Sequence, residues 1–164
     1  MPDTTPAFPA FPRCSSLGYE VNHLARLLAH ALRERIAFLG VVPGQFAQLL
    51  ALYEADGLTQ SQLCARVQIE QPTMANTLAR MQRDGLITRV PDPGDRRRSL
   101  VMLTTRAWDL QPDLVAAARA VNELATQGLS GGEVDTFMAT MTVIIANLDR
   151  TGIGADERSS EDIP

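Results

Sequence analysis

Three consecutive arginines, Arg96, Arg97 and Arg98, follow Pro91-Asp92-Pro93-Gly94-Asp95 and form the densest positive charge in a chain of 164 residues that contains no lysine. A guanidinium presents a planar fork of donors matched to carboxylate and phosphate oxygens. Between residues 59 and 103, seven arginines (66, 80, 83, 89, 96, 97 and 98) stand against four acids (Glu70, Asp84, Asp92 and Asp95). That stretch is locally +3 in a chain of net charge −4, which leaves −7 on the remainder. A second group, Gln71, Thr73, Asn76 and Thr77 with Arg80 beside them, is amide and hydroxyl. Amides of this kind bond bidentately to adenine edges, and threonine methyls meet thymine methyls.

Other chemistries are poorly supplied. There is no Gly-x-Ser-x-Gly, glycine-rich phosphate loop, His-Glu-x-x-His or paired-carboxylate motif, so no enzyme activity is expected. Asp92 and Asp95 sit in a Pro/Gly turn beside three arginines, where holding the turn and orienting the arginines is the natural role. The two histidines, His23 and His30, lie seven apart on one helix with no cysteine cluster of zinc-like spacing, so neither a metal nor a cofactor is expected. Cys14 and Cys64 cannot build a disulfide framework, which suits a reduced, cytoplasmic protein. The longest apolar runs, 38–43 and 143–146, fall far short of the ~20 residues of a membrane span. The N-terminus shows no signal-peptide pattern. Hydrophobic residues at 45 % and charged residues at 21 % argue against wholesale disorder.

The elements that position these residues follow from periodicity. Residues 1–15, with Pro2, Pro6, Pro9 and Pro12, read as a flexible segment. Leu17, Val21, Leu24, Leu28, Ala31 and Leu32 predict a helix over 17–39. Pro43 opens a second helix at a first-turn position and Gly57 closes it. Thr59-Gln60-Ser61-Gln62 is a capping box opening a short helix. Gln71-Pro72 reads as the N-cap and first residue of a helix to about 84, with Met74, Leu78 and Met81 on one face and the polar set on the other. After Gly85, 86–90 and 99–103 read as strands around the arginine-tipped turn. A further helix begins at 104 or 105 and bends or restarts at Pro112. Ser130-Gly131-Gly132-Glu133 is a second capping box. It opens a helix with a full apolar stripe: Val134, Phe137, Met138, Met141, Ile144, Ile145 and Leu148. Residues 151–164 read as a disordered acidic tail.

A short helix, a turn, a helix with an exposed polar face and a basic hairpin make a winged helix-turn-helix. The predicted fold class is therefore mostly α (α+β). A helix 10–12 Å across fits a major groove ~12 Å wide, and arginines on a hairpin suit phosphates or the narrow minor groove. Each feature alone is equally a solvated surface helix or a solvated loop; their order and spacing favour double-stranded DNA. Winged helix-turn-helix residues 41–104 are then flanked by helices over 16–40 and 105–150. Their apolar faces are wider than a monomer of this size buries, which points to a homodimer, with a simple core stripe as the alternative.

The stretches Val42-Pro43-Gly44-Gln45-Phe46, Gln71 to Met81, Asp84-Gly85-Leu86-Ile87 and Asp92 to Thr104 resemble the MarR-type transcriptional regulators. The resemblance covers about residues 17–150. The family's wing signature falls on Asp95, Arg97 and Val101. Two departures are Ala107, where glycine is frequent, and Pro72, where serine is usual; the second removes a candidate hydroxyl contact. The resemblance implies a homodimer with interlocked first and last helices, two winged lobes on a pseudo-palindromic operator, and repressor behaviour relieved by a small effector. On this basis Gln71, Thr73, Asn76 and Thr77 are expected to read bases. Thr59, Gln60, Gln62 and Arg80 are expected to touch phosphates or the groove edge, and Arg96, Arg97 and Arg98 to supply the wing contacts.

The resemblance implies an aromatic carboxylate or phenol as effector, and Arg26 beside His23 suits the carboxylate, because an arginine on an apolar stretch grips one bidentately. An ion pair of Arg26 with Glu20 or an interhelical acid is the competing role. A cysteine-based redox trigger is the alternative. Cys14 loosely resembles the peroxide-sensing branch, although that cysteine lies where this chain has Leu17 and its partner tyrosines would fall at Ala31 and Val42. Cys64 reads as packing. An architectural DNA-coating protein without an effector is a further alternative, and a net charge of −4 sits badly with it.

Overall fold

The computed structural model describes residues 15–95 and 97–150. Cys14, Arg96, residues 1–14 of the N-terminal segment and the predicted tail 151–164 lie outside the described residues. The elements run α1 (Leu17–Ile36), a short 3-10 turn (Ala37–Leu39), α2 (Pro43–Glu54), β1 (Leu58–Thr59), α3 (Gln60–Val67), α4 (Gln71–Arg83), β2 (Ile87–Pro91), β3 (Ser99–Leu103), α5 (Thr105–Ala125) and α6 (Gly131–Arg150). The chain divides into two units within α5, after Asn122. The fold is mostly helical with one small antiparallel sheet, as the sequence implies.

In the first unit, Leu49 and Leu52 of α2, Leu63 of α3, Met74, Leu78 and Met81 of α4, and Leu86 and Val101 are all fully excluded from solvent. Met74, Leu78 and Met81 are the predicted stripe of α4, and burial of one face per helix sets how α2, α3 and α4 stack. The sheet has strand order β1-β3-β2. Ile87 pairs with Leu103 and Pro91 with Ser99, which keeps the proline on an edge strand where its missing N–H costs no ladder bond.

Helix ends follow local capping chemistry. Ser16 accepts from the Tyr19 N–H and starts α1. In α3, the Thr59 Oγ1 accepts from the Gln62 N–H at 3.2 Å while Gln62 Oε1 accepts from the Thr59 N–H at 2.8 Å, the reciprocal pair of a capping box. The end of α4 is a Schellman closure. Leu86 N–H reaches the Met81 carbonyl at 2.9 Å and Gly85 N–H the Gln82 carbonyl at 3.1 Å. Gly85 holds a φ of 70°, in the left-handed region that this motif needs.

Three expectations change. The cap of α4 is Glu70, so Gln71 and Pro72 are its first two helical residues; proline is tolerated at either, because neither N–H has a helical acceptor. A two-residue strand, Leu58–Thr59, joins the hairpin by pairing with Val101 and Leu100. Helix α5 does not restart at Pro112 but continues through it. Pro112 and Trp108, the residue whose carbonyl is left without a helical donor, are both exposed residues.

The second unit holds the end of α5 and α6. Ser130 Oγ donates to Glu133 Oε2 at 2.7 Å and the Ser130 N–H does so at 2.8 Å, which completes the predicted box. These two bonds hold the Glu133 carboxyl below its usual range. No residue of α6 is buried. Among the described residues no single helix is long and apolar enough to cross a membrane.

Candidate nucleic-acid interface

Helix α4 presents two faces. Met74, Leu78 and Met81 are buried, while Gln71, Thr73, Asn76 and Arg80 are exposed and Thr77 is half-buried. Spacings of three and four residues put the exposed set along one side of the cylinder. The polar side chains differ in how free they are. Thr77 Oγ1 donates back to the Thr73 carbonyl at 3.0 Å, which engages its hydroxyl within the helix. Gln71 is engaged at both ends of its amide: Nε2 donates to Ser61 Oγ at 3.2 Å and Oε1 accepts from Gln60 Nε2 at 2.9 Å. Asn76 and Thr73 carry exposed polar heads that make no side-chain hydrogen bond among the described residues.

Ahead of α4, Thr59 and Gln62 spend their side chains on the α3 cap, whereas Gln60 turns toward α4 and the wing. Arg89 Nη2 on β2 donates to Gln60 Oε1 at 3.3 Å. A continuous path of bonds thus runs from the wing strand through Gln60 and Gln71 to Ser61. Arg89 belongs to the arginine cluster of the sequence but carries no assigned role there. Membership of that cluster was the available signal; the link to Gln60 needed the fold.

The wing tip is organised by its two acids. Asp92 Oδ1 accepts from the Gly94 N–H at 2.8 Å, and Arg98 N–H donates to the Asp95 carbonyl at 2.8 Å. The Asp95 carboxylate takes the Arg97 N–H at 3.0 Å, with Arg97 Nε at 3.4 Å and Arg98 Nε at 3.5 Å. The Arg97 side chain is 92 % exposed and that of Arg98 67 %. Asp95 is the brace that the turn composition suggests, and both guanidinium groups project into solvent with donors to spare. Arg96 lies outside the described residues.

Elsewhere, His23 and Arg26 lie exposed on α1, with the His23 ring 6.2 Å from that of Tyr19. Among the described residues Arg26 makes no ion pair, with Glu20 or any other acid. Cys64 is half-buried in α3, and burial pushes its thiol pKa up, away from the thiolate that a redox sensor needs. Among the described residues no group of three or more histidine, cysteine or acidic side chains could hold a metal.

A recognition helix packed on a shorter helix beside a hairpin with arginines at its tip defines a winged helix-turn-helix DNA-binding protein. Comparison with known proteins agrees: residues 39–98 match the MarR family. The chain is 31 % identical over 115 residues to the transcriptional repressor NicR of Pseudomonas putida, covering 70 % of this chain and 68 % of that one. A probable transcriptional regulator from Pseudomonas aeruginosa is 28 % identical, with a TM-score of 0.76 over 81 % of this chain and 99 % of its own. PcaV of Streptomyces coelicolor, solved in complex with its natural ligand, shares the fold at 24 % identity and a TM-score of 0.77, over 85 % and 98 % of the two chains. This chain belongs to the MarR family of transcriptional regulators.

Proposed function

We propose that this regulator is a repressor that binds a pseudo-palindromic operator as a homodimer and leaves it when a small aromatic carboxylate or phenol binds. The observation that carries the DNA contact is the amide of Asn76, exposed on α4 and without a hydrogen-bond partner among the described residues. Asn76 and Thr73, with the Thr77 methyl, read bases in the major groove. Arg97 enters the groove at the wing, and Arg80 and Arg98 meet phosphates. Thr59, Gln60, Gln62 and Gln71 act by holding the helix starts in place, with Arg96 part of the wing.

Support for the dimer comes from α1 and α6, read as the association helices of segments 16–40 and 105–150 around the DNA-binding residues 41–104. Leu17, Val21 and Leu27 on α1, and Phe137, Met138, Val143, Ile145 and Leu148 on α6, are each about half exposed or more, an apolar load that a lone chain leaves in water. Two-fold symmetry then sets two copies of α4 on successive major grooves, ~34–36 Å apart.

Support for effector control comes from Arg26, an unpaired guanidinium on an apolar stretch with His23 nearby, and from family members such as PcaV that are solved with a ligand. Duplexes selected from genomic fragments by the full chain, titrated by fluorescence anisotropy with and without benzoate-type and phenolic compounds, test the whole reading. Release of the duplex by such a compound in wild type, and not in Arg26→Ala, is the expected outcome. No duplex preference defeats the repressor reading, and calorimetry showing no Arg26-dependent binding defeats the effector reading.

A further inference from the structure

The C-terminal end of α4 is fastened to three other elements at one junction. The Asp84 carboxylate accepts from Gln45 Nε2 of α2 at 2.7 Å. Gln45 is itself buried and accepts the Val42 N–H at the start of α2. Thr104, just before α5, donates its hydroxyl to the Gly85 carbonyl at 2.8 Å and accepts the Ala107 N–H. Arg106, in the first turn of α5, then spans the junction. Its Nη1 donates to the Asp84 carbonyl, left open by the α4 ending, and its Nη2 donates to the Leu39 carbonyl at 3.1 Å. Both acceptors are carbonyls at helical C-terminal ends, where a cation is favoured. Of the side chains named at this junction, Arg106 is the one bonded to the 3-10 turn that follows α1.

A second observation marks the same spot. Gly40, next to Leu39, holds a φ of 70°, and a Cβ placed on it would stand 3.0 Å from Arg106 Nη2. The backbone there approaches the guanidinium as closely as a residue without a side chain permits.

We infer that Arg106 is a positioning residue for DNA recognition, a bolt that sets the tilt of α4 by locking its end to the 3-10 turn after α1 and to the start of α5. Leverage makes the bolt matter. The 13 residues of α4 span about 20 Å at ~1.5 Å per residue, so a tilt of about 5° at Asp84 displaces the Gln71 end by about 1.7 Å. Base-edge hydrogen bonds tolerate only ~0.5 Å of length variation, whereas phosphate contacts from long arginines adapt. Loosening the bolt therefore costs discrimination between sequences more than it costs non-specific attachment. The inference rests on the reading that α4 reads the operator.

The test compares wild type with Arg106→Gln, Arg106→Lys, Gly40→Ala and Asn76→Ala, each as the full chain. Affinities for a selected operator and for an unrelated duplex of equal length are read by anisotropy at one salt concentration, with thermal melting alongside. The Arg106 variants should lose about 5- to 30-fold in operator affinity, with the unrelated duplex changed by no more than about twofold. Lysine keeps the charge without the fork, so it should restore melting temperature more than it restores discrimination. Gly40→Ala crowds the guanidinium while leaving it present, and also strains the backbone at a φ of 70°, so it should lower discrimination in the same direction; Arg106→Lys carries the test should Arg106→Gln not fold. Folded Arg106 variants with a wild-type ratio of the two affinities, or with both affinities lowered equally, overturn the inference. An Asn76→Ala ratio that is also unchanged points instead to failure of the α4 reading.

Discussion

Removing the Arg98 guanidinium separates charge from sequence reading. Arg98 sits 3.5 Å from Asp95 with side chains 67 % and 31 % exposed. Two unit charges at that distance in water attract by about 1 kcal/mol before side-chain ordering and salt are counted. The net stabilisation of such exposed pairs is ~0–1 kcal/mol, so Arg98→Ala should leave the melting temperature within about 4 °C of wild type. DNA affinity should respond far more. Each phosphate left without its arginine makes the slope of log affinity against log salt shallower by about 0.9, and a dimer carries two copies of Arg98. Between 50 and 200 mM salt that change amounts to about a 12-fold narrowing of the wild-type advantage. Anisotropy titrations of the selected operator and of several single-base variants, at four salt concentrations in this range, measure it directly. Arg98→Ala should weaken all duplexes alike with a shallower slope, whereas Asn76→Ala should keep the wild-type slope and lose about 1–3 kcal/mol of discrimination at its base pair. Parallel salt slopes for Arg98→Ala and wild type, or identical profiles of the two variants across the operator series, would refute this division of labour.

Leu78→Ala, which empties a fully buried position in the recognition helix, should lower unfolding free energy by about 2–5 kcal/mol in urea denaturation. Tyr53 donates to the Ala107 carbonyl at 2.6 Å, and burial pushes its pKa up to about 12 from a usual 10. In a Tyr19→Phe background, absorbance at 295 nm should therefore report phenolate only as pH nears 12. Because the folded state holds the neutral phenol, this contribution to stability is complete below pH 10 and is lost as pH rises from 10 through 12. Paired Phe137→Glu and Met138→Glu substitutions on the exposed face of α6 should shift sedimentation from dimer to monomer at micromolar concentration while helical circular dichroism persists; a dimer unchanged by both would place the interface elsewhere. Thr59→Ala should cost about 0.5–2 kcal/mol by removing the α3 cap, read by thermal melting.

Much of the fold is legible in the chain because it rests on contacts three or four residues apart. The Thr59–Gln62 and Ser130–Glu133 boxes, the Met74, Leu78 and Met81 stripe, and the closing role of Gly85 are local hydrogen-bonding and burial patterns. So is the Asp95 brace, which binds arginines two and three residues on. Where prediction and structure part, the cause is longer range. Pro112 lies at an exposed position inside one continuous helix, and two residues at Leu58 become a strand only because β3 lies alongside.

The candidate interface divides in the same way. Residue types alone placed amides and hydroxyls on one helix and arginines on a hairpin, which is enough to name the kind of partner. Which of those amides stays free was settled by partners distant in the chain: Gln60, 11 residues from Gln71, and Arg89, 29 from Gln60. Arg106 and Leu39 stand 67 residues apart, and no periodicity links them. One-dimensional pattern records which atoms each segment offers; the packing of separate helices decides which of those offers are already taken.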